Sequence, residues 1–547
     1  MRNVLVIVVD RLGYDEISLQ PDSAINPTIG QFAKEGVNCR RAFAHGCPTQ
    51  FAMPAIFTST LPLDYGGYDR GVADRPVSLY EHLQSNDFHT TGIVAGLHVS
   101  AFYGYNRGFD DFYFLADIEN IWLHLKYLLR YHIERRDIRQ KNGFDFYQDV
   151  GKILKRFYAG IIDFCRAKQQ EKADPISQHS TIYNYDFKTI EREISLHRDI
   201  LAQKPAAYIR LYCAEILKTT LRSFLGITNW PAPISDWFFN KAGAFSKGHF
   251  NNSFFKFKLW SSFASTTHLV QRFKQQITQK NQKPFAMFMH LLDLHEGFFL
   301  NSRLQIAWKR KLFRTNRSLY KNYDKFFQDL SLQYIDSAIK DIKDCLEQQG
   351  LLDSTLIVLL GDHGHAPGGP SSPMRLRNGP GGGFHDTYLH IPLIFWHKSL
   401  PPVECNSLFS GVDLAPTICD FLNLKTPTSF QGVSLFQQPR KKDFFIAEHT
   451  HRGPCDLPNK PVYLCLQSNE YKFIWKEGIY DLDENGNDLM ELYDLCKDPT
   501  EMDNRVNHPD YQLVVEHFQA LAEKRFLEIK PAGSDILATQ MNINPRQ

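Results

Sequence analysis

The sequence predicts an α/β fold: a three-layer sandwich about a mostly parallel central sheet, with a helical insertion and a smaller C-terminal α+β subdomain. Three observations carry that reading. First, Val4–Val9 and Thr355–Leu360 are strand-length apolar runs, too uniform for a sheet with one wet face, so each reads as a parallel strand buried on both sides. Second, both runs close on a carboxylate, Asp10 and Asp362, at the kind of strand end where open α/β sheets bind ligands. Third, strands alternate with helical stretches over 1–115 and again over 263–437. Residues 116–262 are instead helical by period, 438–530 read as strand and turn, and 531–547 as a flexible tail.

From the N-terminus, the first strand gives way to a loop, Arg11–Asp15. Asn26-Pro27-Thr28 has the chemistry of a cap with proline at the helix start, and the helix Ile29–Glu35 stops at Gly36. Val37–Ala44 reads as one strand. His45–Pro62 is a turn carrying Cys47 and Thr49, followed by a short apolar helix. A helix amino terminus favours an anion and eases ionisation of a nearby hydroxyl or thiol, so either group is a candidate nucleophile. The plain alternative is a capping threonine and a buried cysteine. Ser78–Gln84 reads as a helix and Thr90–Val94 as a strand leading to Gly96-Leu97-His98.

The insertion reads as helical by period (Ile121, Leu123, Leu125, Leu128, Leu129) and has ring clusters at Trp237-Phe238-Phe239 and Phe254–Trp260. The stretch Pro284–Glu296 follows, a strand whose end carries Asp293 and the imidazoles of His290 and His295. A long helix, Tyr323–Gln349, precedes Thr355–Leu360; a Gly- and Pro-rich loop, Pro367–Gly383, then leads to His385 and the strand Ile391–Trp396. Three further strands, Phe444–His449, Tyr471–Trp475 and Glu491–Leu495, and a helix, Tyr511–Glu528, complete the pattern.

A hydrophobic fraction of 43% and a charged fraction of 22% are ordinary for a globular enzyme, and 547 residues exceed a single core. A net charge of +2 gives no global field for nucleic acid. Locally, 116–262 hold 23 Lys and Arg against 15 Asp and Glu, a surplus of eight. No run reaches the ~20 apolar residues that span a bilayer, and the first apolar run is too short for a secretion signal. The ten cysteines show no CxxC pair, so the sequence predicts reduced thiols and a cytoplasmic protein.

Gly361-Asp362-His363-Gly364 places an imidazole beside the second strand-end carboxylate. If the two strands are neighbours, Asp10, Asp362 and His363 are hard donors at one edge and suggest a divalent cation. An Asp at a strand end also serves merely as a helix cap.

The order of these motifs resembles the sulfatase branch of the alkaline phosphatase superfamily over about 1–115 and 266–530. The stretches that carry it are Asn26–Val37, Thr58–Pro62, Gly108-Phe109-Asp110, His290–His295, Asp362-His363-Gly364, Ile391–Ile394, Asp413–Thr417 with Gly432–Leu435, and Glu491–Leu495. The resemblance implies an alkaline-phosphatase/sulfatase-like fold and a metal-dependent hydrolase or transferase acting on a phosphoric or sulfuric ester. Its metal ligands would be Asp10, Thr49, Asp362 and His363, with Thr49 as covalent nucleophile.

Two departures sharpen that expectation. Sulfatases carry a Cys-x-Pro-x-Arg signature oxidised to formylglycine, and counting back thirteen residues from Pro62, the family spacing, lands on Thr49. Cys47 is out of register and lacks the Pro and Arg at that spacing, so formylglycine is not expected. Threonine here resembles the nucleotide pyrophosphatase/phosphodiesterase and lipoteichoic acid synthase branches, which work through a phosphothreonine, and this favours a phosphoester. Arg11 stands where metal-rich sulfatases often have a second Asp, so one ion (Mn, Mg, Ca or Zn) is preferred to two. Asp293, His295 and His385 would hold a second ion; otherwise Asp293 and His98 contact substrate, while His295 and His385 bind the oxyanion or protonate the leaving group.

The expected substrate is an anionic ester, either a small molecule or glycan- or lipid-linked, with no nucleic-acid partner. The basic insertion would serve as a lid, or lie on an anionic membrane through Ile121–Arg139. The alternative from another class is a catalytically silent sulfatase-fold protein binding an anionic glycan or membrane surface, suggested by Arg11 and Met53. Oligomeric state is not fixed by the sequence.

Overall fold

The computed structural model describes residues 2–20, 23–65, 71–116, 121, 125, 146–171, 186–210, 266–279, 283–296, 323–365, 383–437, 442–450, 462–477 and 490–529. The chain divides into two compact units, one of 1–115, 265–298 and 308–547, the other of 116–264 and 299–307. Most of the membrane-helix candidate 121–139, the ring clusters at 237–239 and 254–260, and the loop 367–382 lie outside the described residues.

In the larger unit the strands are β1 (Asn3–Val9), β2 (Val37–Cys39), β3 (Ala42–Phe43), β4 (His89–Val94), β5 (Asp111–Phe114), β6 (Phe285–Leu291), β7 (Thr355–Gly361), β8 (His390–Ile391), β9 (Leu393–Trp396), β10 (Val403–Cys405) and β11 (Phe409–Ser410). Eight of them form one sheet in the order β10-β2-β9-β7-β1-β6-β4-β5. Only β9 among these runs antiparallel to its neighbours. β1 lies at the centre with all seven residues buried, as a parallel strand covered on both faces requires. Each buried Val, Leu or Ile there contributes roughly 1.5–3 kcal/mol, so a charge at Val6 would be enough to break the strand. The register sets Val9 level with Gly361 on one side and Leu291 on the other. Three chains therefore leave the sheet at one edge, carrying Asp10, Asp362 and Asp293.

Two stretches that read as single strands are split. Val37–Ala44 turns at Arg40-Arg41, and Ile391–Trp396 breaks at Pro392, so that β2 and β9 stay in the main sheet while β3, β8 and β11 form a small one. Proline has no N–H to give a ladder, and the step falls where it stands.

The longer helices of this unit among the described residues are α1 (Pro27–Glu35), α2 (Thr49–Thr58) and α3 (Leu79–Ser85) before the insertion, which itself contributes α4 (Phe146–Glu171) and α5 (Phe187–Gln203) to the second unit. After it come α6 (Thr266–Thr278), α7 (Tyr323–Gln348), α8 (Leu414–Phe421) and α9 (Gln512–Glu528). α7 packs against α1 and α6, while α2 packs against α3 and α8, two helical groups serving one sheet. The α1 cap differs from expectation. Asn26 makes no side-chain cap; its amide is spent on Ser18, and Asp336 of α7 takes the free N–H groups of Thr28 (3.2 Å) and Ile29 (2.8 Å) instead.

The C-terminal strands β12 (Phe445–Thr450), β13 (Val462–Gln467), β14 (Tyr471–Glu477) and β15 (Met490–Asp494) form an antiparallel sheet with α9 packed on it. Phe51 of α2 and Leu63 join its core beside Leu464, Phe473 and Leu492. Buried Arg525 of α9 ties Glu448 (2.5 Å) to Asp64 (3.0 Å), and Glu448 in turn accepts the Leu63 N–H at 2.9 Å. α2 is thus gripped from the C-terminal side at both ends.

In the second unit α4 and α5 pack along an apolar seam including Leu154, Phe157, Ile161 and Leu201, with Tyr158, Tyr208 and His197 hydrogen-bonded across it. Several of its rings are therefore packing residues. No helix among the described residues is long and apolar enough to cross a membrane.

Candidate active site

β1 and β7 end side by side, and their first residues beyond the sheet are Asp10 and Asp362, 3% and 0% exposed. Two carboxylates taken out of water together are costly unless something positive joins them. Burial first, and Asp362 next, raise the Asp10 carboxyl above the usual range, against lowering by His295, His290 and His363. Burial opposes charge on His363, but Asp362, Cys47 and Asp10 outweigh it and hold the imidazole well above its ordinary value.

The hydrogen bonds show how each group is set. Asp362 Oδ1 accepts the backbone N–H groups of Arg11 (2.9 Å) and His363 (2.8 Å), while among the described residues Oδ2 has no hydrogen-bond partner. His363 turns Nδ1 to the Gly364 carbonyl at 2.8 Å, so Nε2 faces the carboxylates, 3.6 Å from Asp362 Oδ2 and 3.9 Å from Asp10 Oδ1. Asp10 Oδ1 is also without a hydrogen-bond partner among the described residues. One donor atom from each of Asp10, Asp362 and His363 lies within 4.8 Å of the others. Orphaned carboxylate oxygens with a turned imidazole fit a divalent cation, since hard oxygen and neutral imidazole are the donors such ions take.

Thr49 opens α2, whose ten residues are all buried. Its Oγ1 stands 3.4 Å from Asp10 Oδ2 and 3.3 Å from His363 Nε2, at the amino terminus of the helix. Cys47 lies at the other ring nitrogen, its Sγ 3.4 Å from His363 Nδ1. The hydroxyl, not the thiol, thus shares a side of the ring with the carboxylates. Gln50, next on α2, directs its amide nitrogen to the His98 ring, 2.8 Å from Nδ1.

Asp293 and His385 are placed less directly. Asp293 Oδ2 accepts the N–H (2.7 Å) and hydroxyl (2.5 Å) of Thr266 at the start of α6. His295 is exposed two residues on and lies close enough for its charge to lower the Asp10 carboxyl. His385 precedes a helical turn that packs on Gly364, where a Cβ would meet the Thr387 carbonyl oxygen at 2.2 Å. Any side chain at 364 would push the two loops apart.

A family model described as Sulfatase matches residues 2–181 and 204–424. The chain belongs to the sulfatase family. A second model, N-sulphoglucosamine sulphohydrolase, C-terminal, matches 384–526. The Delta 4,5-hexuronate-2-O-sulfatase of Bacteroides thetaiotaomicron is 24% identical over 253 residues, 44% of this chain and 46% of that protein. Arylsulfatase K of Bos taurus is 24% identical over 229 residues, 40% and 37% of the two chains. The chain thus spans under half the length of these curated relatives. Among solved structures, one described as bound to its substrate D-glucosamine-2-N,6-O-disulfate matches with a TM-score of 0.55 at 12% identity, over 97% of this chain and 99% of that one. The phosphonate monoester hydrolase of Agrobacterium radiobacter matches with a TM-score of 0.54 at 14% identity, over 97% and 95%. At these identities the structures show the sulfatase-like fold.

Within this member of the sulfatase family the C-terminal region adds residues that the sequence reading passed over. Glu501 Oε2 accepts from His385 Nδ1 at 2.8 Å and from the Asp386 N–H at 3.0 Å, while Oε1 pairs with Lys472 of β14. Lys472 also reaches Asp386 Oδ1 (2.6 Å) and the Phe384 carbonyl (2.8 Å) with no exposure at all. Burial pushes the Glu501 carboxyl up, but Lys472 and then His385 pull harder and leave it at about 2. The His385 proton therefore sits on Nδ1, and Nε2 is the nitrogen left for chemistry. A glutamate beyond Asp498-Pro499 gave no periodic signal in the sequence; only the fold brings it to His385.

Proposed function

We propose that this chain is a divalent-metal-dependent hydrolase of an anionic ester, with Thr49 as covalent nucleophile and a phosphoester favoured over a sulfate ester. The observation that carries the reading is the buried Thr49 hydroxyl at a helix amino terminus, 3.4 Å from Asp10 and 3.3 Å from His363, beside two carboxylate oxygens without hydrogen-bond partners among the described residues. Asp10, Asp362 and His363 would hold the ion, with Thr49 beside it. When bound, such an ion would polarise the ester oxyanion and ease deprotonation of the hydroxyl. The α2 amino terminus favours the same negative charge.

The other residues take roles from their surroundings. His385, fixed through Nδ1, presents Nε2 for the leaving group or the oxyanion, and exposed His295 serves the same end from the helical turn after β6. His98, braced by Gln50, contacts the substrate. Asp293 is engaged by Thr266, so we assign it to holding the loop that carries His295, and with it the single-ion arrangement. The relatives named as sulfatases of hexuronate and of N-acetylglucosamine, and the neighbour bound to a sulfated glucosamine, support an anionic glycan as the substrate class. Threonine favours the phosphoester because a threonine ester lacks the gem-diol through which formylglycine expels sulfate.

A panel of aryl sulfates, aryl phosphate mono- and diesters and a phosphonate monoester, each with Mn, Mg, Ca and Zn, tests the reaction class. Thr49→Ala should abolish turnover with metal content retained, and Cys47→Ala should leave it within a few-fold. Inactivation by Cys47→Ala with a harmless Thr49→Ala would overturn the assignment. A wild-type protein that binds no divalent ion would favour the silent, glycan-binding alternative.

A further inference from the structure

The three residues assigned to the ion share a design. Asp362 has one oxygen held by two backbone N–H groups and the other without a partner; His363 has one nitrogen at the Gly364 carbonyl and the other turned inward. Anchoring one atom of a ligand aims the other, which is how the surroundings of a metal site orient it. Asp10 Oδ1 likewise has no hydrogen-bond partner among the described residues, and among them no backbone N–H anchors Oδ2. Near that oxygen are Thr49 Oγ1 at 3.4 Å and the Nε2 of His290 at 3.5 Å.

His290 is the penultimate residue of β6 and is fully buried. The register sets it between Val8 and Val94, in a strand otherwise filled there by Met287, Phe288, Met289 and Leu291. Among the described residues neither of its ring nitrogens has a hydrogen-bond partner. Leaving such a group unpaired carries a desolvation cost that an apolar ring would avoid. Room for the imidazole comes from Gly96, where a Cβ would lie 3.1 Å from both Cε1 and Nδ1. His290 stands outside the trio of donors that lie within 4.8 Å of one another, so it is no ligand by position.

We propose that His290 is the positioning residue of Asp10: its Nε2–H is donated to Oδ2, turning Oδ1 to the cation and releasing the Thr49 hydroxyl from a competing acceptor. The proposal rests on the metal reading above. The 3.5 Å contact is longer than a good N–H···O bond of ~2.7–3.2 Å, so the assigned role requires His290 and Asp10 to close by a few tenths of an ångström. Asp10 then matches Asp362 and His363, with one atom anchored and one free.

The test uses full-length protein stripped with a chelator and titrated with Mn²⁺ or Zn²⁺, read by competition with a chromogenic chelator and by the unfolding midpoint. His290→Phe keeps ring volume and removes the donor; His290→Gln keeps an N–H near the Nε2 position. The Phe variant should bind ~10–100-fold more weakly, the range for losing an outer partner of a ligand, while its metal-free midpoint holds or rises. The Gln variant should stay within a few-fold of wild type. His290→Met, matching its neighbours in β6, replaces the Phe variant should that one fail to fold. Wild-type affinity in the apolar variant would overturn the role of His290. Absence of metal binding by the wild type would instead sink the metal reading itself.

Discussion

Two buried clusters of charge meet at the carboxyl edge of the sheet, and they are built in opposite ways. At the strand ends, Asp10, Asp362 and His363 leave carboxylate oxygens without hydrogen-bond partners among the described residues. In the C-terminal cluster, Lys472, Glu501, Asp386 and His385 pair within themselves, each oxygen of Glu501 taken. On the proposed reading an ion would complete the first, whereas the second is already paired within itself. A site that recruits an ion must keep donors idle, and a site that aims an imidazole must not.

The contrast can be broken most directly at Asp362. Asp362→Asn removes one of two repelling carboxylates, so turnover and ion affinity should fall by more than ~100-fold while the metal-free protein unfolds no earlier than wild type. Calorimetry with and without chelator checks both halves, and early unfolding of the metal-free variant would mean this cluster is already self-sufficient.

Glu501→Gln should do the reverse. It leaves Lys472 buried with Asp386 as its one carboxylate partner among the described residues, and breaking a buried pair costs about 3–5 kcal/mol. kcat should drop ~10–100-fold through a loosened His385, with ion affinity unchanged in the same chelator competition. A changed affinity would show that the two clusters act as one.

A smaller effect follows from acid. The Glu501 carboxyl is depressed to about 2, so its contribution is full above its ordinary range near pH 4.5 and fades as pH falls toward 2. Wild type should lose its stability advantage over Glu501→Gln across that window, followed by denaturant unfolding at stepped pH. An advantage that is constant from pH 5 to 2 would remove the ion pair as its source. The smallest change is the control: Arg40 and Glu404 pair at the surface, 33% and 61% exposed, and Glu404→Ala should move stability by no more than about 1 kcal/mol.

How much was legible depended on whether the signal was local. β1 and β7 announced themselves because a strand buried on both faces must be apolar throughout, and a carboxylate closing such a run stands out. Thr49 was legible through its spacing from Pro62. Glu501 and Lys472 were not, since a lysine in β14 reads as an ordinary solvent-facing residue; His290 stood out as a strand-end imidazole, but nothing local showed that it faces Asp10.

By itself, then, the sequence determined the fold class, the strand ends that carry Asp10, Asp362 and His363, and the helix that Thr49 opens, each a matter of residues near one another in the chain. Tertiary structure alone decided that β1 lies between β6 and β7, that Asp336 rather than Asn26 caps α1, that Glu501 holds His385 across 116 residues, and which buried polar atoms go unpaired. The reason is physical: hydrophobic period is written residue by residue, but a charge's partner is whichever group packing brings within about 3 Å.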